Sequence, residues 1–111
     1  MTTTAVVDAY FAAIRKRDAD ALGALFTDDA VLISQGGTFN GPDAIASFYR
    51  DLAFKVDDLW PEPGDLLVDG NRVAVEIRLT MAGKTNLVGD VFTLRGDRIE
   101  RLAIYMGPVA G

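Results

Sequence analysis

The sequence predicts an α+β protein in which three helices gather against one strongly curved sheet and close a cone. Two observations carry that prediction. Apolar residues recur at helical spacing as far as residue 54 and then change to the alternating spacing of strands. Short turn signals, Asp69-Gly70-Asn71, Ala82-Gly83-Lys84 and Gly96-Asp97, cut the second half into hairpins.

The elements follow in order. Thr4 reads as an N-cap, and Val7, Tyr10, Phe11 and Ile14 behind it share one helix face. Asp18-Ala-Asp20 starts a shorter helix with the face Leu22, Leu25 and Phe26. Residues 30–34 read as a strand after an Asp28-Asp29 turn, and Gly36-Gly37 breaks the chain. Gly41-Pro42 opens a third helix, with proline in its first turn and Ile45, Phe48, Tyr49 and Leu52 on its apolar face. Residues 56–68 read as one strand, irregular at Pro61-Glu-Pro-Gly64. Strands over 72–81, 85–95 and 98–106 complete the chain, with Val73, Val75, Ile77 and Leu79 facing opposite to Ala74, Glu76, Arg78 and Thr80.

The chain has 111 residues, enough for one domain, 1–111, with a single core. A hydrophobic share of 50% and a charged share of 24% match an ordinary soluble protein. No apolar run approaches the roughly 20 residues of a membrane span, and the start MTTTAVVDAY lacks the character of a secretory signal. A cytoplasmic protein is expected, and the lack of cysteine fits that compartment. The absence of histidine removes the commonest general base and nearly every zinc site, so proton transfer falls to Asp, Glu, Tyr, Lys or water. A net charge of −5 opposes a nucleic-acid partner, and Arg15-Lys16-Arg17 reads as a solvated helix end. No phosphate loop or dinucleotide fingerprint implies a cofactor, and neither Asp28-Asp29 nor Asp57-Asp58 has metal-loop spacing.

One residue breaks the pattern. In Leu87-Val-Gly-Asp90-Val-Phe92-Thr-Leu94, alternation places Asp90 on the same face as Val88, Phe92 and Leu94. Burial there raises a carboxyl pKa and keeps the acid neutral, as a hydrogen-bond donor. Tyr10 on the inward stripe of the first helix brings a second donor. Two O–H donors in an apolar cavity suit a carbonyl oxygen that gains charge. Taken alone, a core tyrosine satisfied at the rim and an aspartate tying down a loop explain the same residues.

The segments AYFAAIRKRDADAL, LFTDDAVLIS, AIASFYRDL and GDVFTLRGDRI resemble the NTF2-like (SnoaL-like) superfamily, and within it the steroid Δ-isomerase branch. The similarity runs from about residue 5 to residue 107, and it implies a cone of three N-terminal helices on a mixed, largely antiparallel sheet. In that branch a helix-1 tyrosine and a neutral aspartic acid on a late strand form the oxyanion hole, a well-known example of a carboxylic acid kept protonated. The matching residues are Tyr10 and Asp90, with Tyr49 as the supporting tyrosine on the third helix. Phe26 stands where the family has a further tyrosine. The general base of the family, an aspartate ending the first strand, is replaced by Ser34, which cannot shuttle a proton at its free pKa.

Asp58, alternating with Val56 and Trp60 on an inward face, is the best substitute base. A slip of one residue in register exchanges it for Asp57. Glu76 reads as a surface residue. Alternation and the resemblance together give a greasy lining of Ile14, Phe26, Phe48, Val56, Trp60, Val75, Ile77, Val88, Leu102, Ile104 and Met106, with Asn86 near the mouth. Such a cavity suits a steroid- or polyketide-like molecule with one carbonyl or phenol.

Three functions remain open. One is an isomerase- or lyase-like enzyme, or its polyketide-cyclase or epoxide-hydrolase relatives, in which Asp90 is ionised. Another is a binder of apolar ligands that has lost its base. The third is an interaction domain, with a homodimer through the outer face of the sheet implied by the resemblance.

Overall fold

The computed structural model describes residues 2–110. Helix α1, Thr3–Lys16, is capped by Thr2 rather than Thr4. The extended Thr2 side chain accepts from the Ala5 N–H at 3.1 Å, which leaves Thr4 inside the first turn. The helix ends on Arg17, held left-handed at φ 56° with its N–H on the carbonyls of Ala13 and Ile14. Helix α2, Ala19–Gly23, follows at once, capped as expected by Asp18 through the Ala21 N–H at 3.0 Å. Helix α3, Pro42–Asp51, starts at the Gly41-Pro42 signal.

Among the described residues seven strands form one mixed sheet. They are β1 (Phe26–Ser34), β2 (Gly37–Asn40), β3 (Trp60–Pro63), β4 (Leu67–Asp69), β5 (Arg72–Met81), β6 (Lys84–Arg95) and β7 (Arg98–Val109). The order is β2-β1-β7-β6-β5-β3, with β4 also on β5, and only the β1–β7 pair is parallel. The α+β cone with three helices against a curved sheet is therefore the architecture of this chain.

Four differences from the expected elements have physical causes. Strand β1 begins at Phe26 because that residue already pairs with Ile99, and the Asp28-Asp29 segment lies in the irregular stretch before Val31. Asp29 ion-pairs there with Arg95, and this hydrogen bond holds its carboxyl down to about 2. The Gly36-Gly37 break is a tight reversal into an additional strand, β2, and Gly37 takes a φ of 136° that side chains rarely adopt. The single strand expected over 56–68 does not form. A 3₁₀ turn at Ala53–Lys55 precedes two short strands, since prolines at 61 and 63 cannot donate to a ladder and belong on an edge. The pairs Pro63↔Ile77 and Leu67↔Ala74 leave one more residue on the edge side than on β5, and the Gly64 N–H bonds the Glu76 carbonyl at 2.8 Å within that irregularity. Strand β7 runs on to Val109, paired with Asn86.

The loop between α3 and β3 is strapped on two sides. The Arg17 guanidinium donates to the carbonyls of Phe54 at 2.8 Å, Val56 at 3.0 Å and Asp57 at 2.9 Å. The Asp58 carboxylate accepts from the N–H groups of Ala82 and Gly83 at 2.7 and 2.8 Å, both of which have positive φ in the β5–β6 turn. The core between helices and sheet centres on Val6, Val7, Leu22, Phe26, Leu32, Ile45, Val73, Phe92, Ile99 and Leu102, all fully buried. No helix is long and apolar enough to cross a membrane among the described residues.

Candidate functional site

Toward the free end of the cone the core gives way to a cavity of about 400 Å³. Its walls come from α1 (Tyr10, Phe11, Ile14), α3 (Phe48, Tyr49), β5 (Ile77, Leu79, Met81), β6 (Val88, Asp90) and β7 (Ile104, Met106). Ala53, Leu59 and Pro61 close one side, and Ser34, Gln35 and Gly36 form part of the rim. The helical spacing of Tyr10 and Ile14 and the strand alternation of Val88 and Asp90 aim these side chains inward.

Tyr10, Tyr49 and Asp90 lie on this one cavity, and each is at most 4% exposed. The two tyrosine hydroxyls share a short hydrogen bond. One hydroxyl must donate to the other, so the pair retains one O–H proton for a ligand. The rings of Phe11 and Phe92 meet Tyr10 edge-on, with centroids 5.1 and 5.2 Å away, and fix its position. Phe26 packs behind it at 6.4 Å and supplies no hydroxyl to the pair.

Asp90 has no hydrogen-bonding or charged partner that perturbs it among the described residues. Burial alone pushes its carboxyl up to about 7. Burial also pushes the Tyr10 hydroxyl up, reinforced by Tyr49 and by Asp90. Tyr49 is raised mainly by burial, and its bond to Tyr10 partly offsets the rise. Near neutrality both tyrosines are therefore neutral donors, while Asp90 is poised between donor and carboxylate.

Several expected residues lie elsewhere. Asp58 does not enter the cavity; it is exposed, and its two backbone hydrogen bonds hold its carboxyl below the usual range. Trp60 is 47% exposed, shares the outward face with Thr80, and lies under the Arg15 guanidinium at 5.5 Å. Pro61 takes the inward place instead, because the strand starts at Trp60 and alternation counts from there. Val56 packs on the core from the loop without lining the cavity. Phe26, Val75 and Leu102 are core residues below it, Val75 being the cross-strand neighbour of Asp90. Asn86 bonds the Gly107 carbonyl at 3.4 Å and is not part of the wall.

Ser34 does reach the rim, but its hydroxyl serves the turn. It accepts from the Gly36 N–H at 3.2 Å and donates to the Gly37 carbonyl at 3.3 Å. Among the described residues Asp90 is thus the one carboxylate on the cavity wall. Phe11, Leu59, Leu79 and Met81 line the wall although the sequence reading did not assign them to it. For Leu79 and Met81 the signal was present, since the β5 alternation that gives Ile77 continues to both. Among the described residues no group of three His, Cys, Asp or Glu side chains is placed to hold a metal ion.

A family model for the SnoaL-like domain matches residues 7–102. No curated protein matches. Among solved structures, the chain is similar to a protein of Sinorhizobium meliloti provisionally named a polyketide cyclase, with 28% identity and a TM-score of 0.83 over 94% of this chain and 99% of that one. It is similar in fold to a Catenulispora acidiphila protein with a ketosteroid isomerase-like fold, in complex with trimethylamine, at 21% identity and a TM-score of 0.85 over 96% and 88% of the two chains. A protein from Sphaerobacter thermophilus is 25% identical, with a TM-score of 0.78 over 91% and 92%.

Proposed function

The chain belongs to the SnoaL-like domain family, and from that membership and its cavity we propose that the protein binds a small apolar carbonyl or phenolic compound by its oxygen. The observation that carries the reading is Asp90, buried without a partner among the described residues, beside a tyrosine pair on a largely apolar wall. A protonated Asp90 and the spare tyrosine O–H are two donors for one ligand oxygen, and an enolate-like charge on that oxygen strengthens both bonds. Isomerisation also requires a base on the carbon side. Ser34 is engaged in its turn and Asp58 lies outside the cavity, so this chain is a weak isomerase or a binder without turnover.

A second reading is favoured by Asp90, the one carboxylate of the wall among the described residues, which burial pushes up to about 7. In its ionised form it takes a proton from the carbon beside the carbonyl. The C–H electron pair then forms the C=C bond of an enolate, and the carbonyl π pair moves onto the oxygen, held by the tyrosine O–H. Proton abstraction of this kind suits a polyketide-cyclase-like reaction, the provisional name of the Sinorhizobium meliloti relative.

The partner in either reading is a small apolar molecule rather than a nucleic acid. A homodimer through Ala74, Glu76, Arg78 and Thr80 on the outer face of the sheet, in the cytoplasm, completes the proposal. Light scattering that finds a monomer at micromolar concentration removes the dimer. The ligand site is tested by calorimetric titration with 2-naphthol. Saturable binding, weakened in both Tyr10→Phe and Tyr49→Phe, is expected; no heat, or binding unchanged in both variants, refutes it.

A further inference from the structure

An ionised Asp90 is an unusual object in this cavity. Among the described residues no lysine or arginine stands on the wall, and no side chain donates a hydrogen bond to its carboxylate. The titratable groups that face it are Tyr10 from α1 and Tyr49 from α3, both neutral and hydrogen-bonded to each other. Its cross-strand neighbours, Val75 on β5 and Ile104 on β7, bring no charge, and neither do Ser34 on the rim or Leu59 and Pro61 on the facing loop and edge strand. A buried carboxylate of this kind lacks a counter-ion. The cavity can supply one only from outside.

The rest of the wall says which counter-ion fits. Tyr10, Phe11, Phe48 and Tyr49 give four aromatic rings to the cavity, in two edge-on pairs with centroids 5.1 Å apart within each pair. Aromatic faces attract cations that have shed their water, and alkyl groups around the charge suit the apolar surface between the rings. Inorganic cations find no second carboxylate on the wall among the described residues. Anionic ligands meet a like charge with nothing to offset it. The net charge of −5 also draws cations toward the molecule.

We propose that the cavity is a receptor for small organic cations, quaternary or protonated amines with an apolar body, which pair with the Asp90 carboxylate among these rings. This rests on the cavity being the ligand site, as in the proposed function, and adds a second ligand class selected by the state of one proton. With Asp90 protonated both donors serve an oxygen ligand; with Asp90 ionised the carboxylate also gives an ammonium its counter-ion.

The test is calorimetric titration with benzyltrimethylammonium, whose charge does not depend on pH, in parallel with 2-naphthol. With a pKa about 7, the competent fraction of Asp90 rises about 30-fold between about pH 5.5 and about pH 8.5, and the affinity for the cation follows it. Asp90→Asn, checked for a cooperative melting transition, is expected to lose the cation and its pH dependence. A cation affinity equal at both pH values, or retained in Asp90→Asn, overturns the inference. The wild-type pH profile reads Asp90 directly, so the test survives a variant that does not fold. If the wild type binds 2-naphthol and not the cation, this inference fails while the proposed function stands. If it binds neither, both fail.

Discussion

Replacing Asp90 by asparagine should flatten the pH dependence of stability in a defined window. The folded carboxyl ionises near 7 against an ordinary value of 3.8, so between those limits the folded protein holds a proton that the unfolded chain has released. Stability from this group is complete below the unfolded value and is lost as pH rises through the folded one. The gap of about three units corresponds to about 4 kcal/mol at saturation, at about 1.4 kcal/mol per unit. Between about pH 5 and about pH 8 the wild type should lose roughly 2–3 kcal/mol from Asp90 alone. Asp29 and Asp58 do not intrude, because their pKa values lie below the ordinary one and their contributions change at more acid pH. The assay is urea unfolding of wild type and Asp90→Asn across that range, reading the difference between them. For a chain of this size that difference moves the midpoint by about 1–2 M. A difference that stays constant within about 0.5 kcal/mol would show that Asp90 is solvated or paired, and the reading of the site would fall with it.

Three further outcomes are expected. Saturation with 2-naphthol at about 100 times its Kd should raise the Tm by roughly 10 °C or more, from about 2.7 kcal/mol of linkage, and Tyr10→Phe should shrink the rise; an unchanged Tm in thermal scans counts against the cavity. Asp58→Asn should lower the Tm by loosening the β5–β6 turn while leaving 2-naphthol affinity alone, so a weakened affinity by calorimetry would return Asp58 to the site. Gly107→Ala should cost about 1–3 kcal/mol in urea unfolding, because a Cβ there would lie 2.5 Å from the Leu87 carbonyl oxygen; a neutral substitution would mean that β6 gives way easily.

Much of this molecule was legible in its residues because periodicity reports which way a side chain points. The stripe through Tyr10 and Ile14 and the alternation through Val88 and Asp90 brought one helix and one strand to the same cavity without any knowledge of the loops. The failures cluster between residues 53 and 63, where two prolines, a 3₁₀ turn and an edge strand remove both periods. A one-residue error there exchanged Trp60 for Pro61 and drew Asp58 inward, although its carboxylate is needed to hold two backbone N–H groups of a distant turn. That role is invisible locally, since residues 58 and 82 meet only through the sheet. Strand β2 was hidden for another reason: Thr38 and Phe39 between glycines and Asn40 give too short a run for alternation to register. The occupation of Ser34 by its own turn follows from hydroxyl geometry rather than from pattern.

The most direct test of the oxygen-binding corner is isomerisation of a β,γ-unsaturated ketosteroid, followed by absorbance of the conjugated product, in wild type and Ser34→Asp side by side. A carboxylate at position 34 can still accept from the Gly36 N–H, and it would face the cavity that Tyr10, Tyr49 and Asp90 line. Turnover in Ser34→Asp well above a weak or silent wild type is the predicted result. A folded Ser34→Asp protein that remains silent would contradict the assignment of that corner to a carbonyl oxygen.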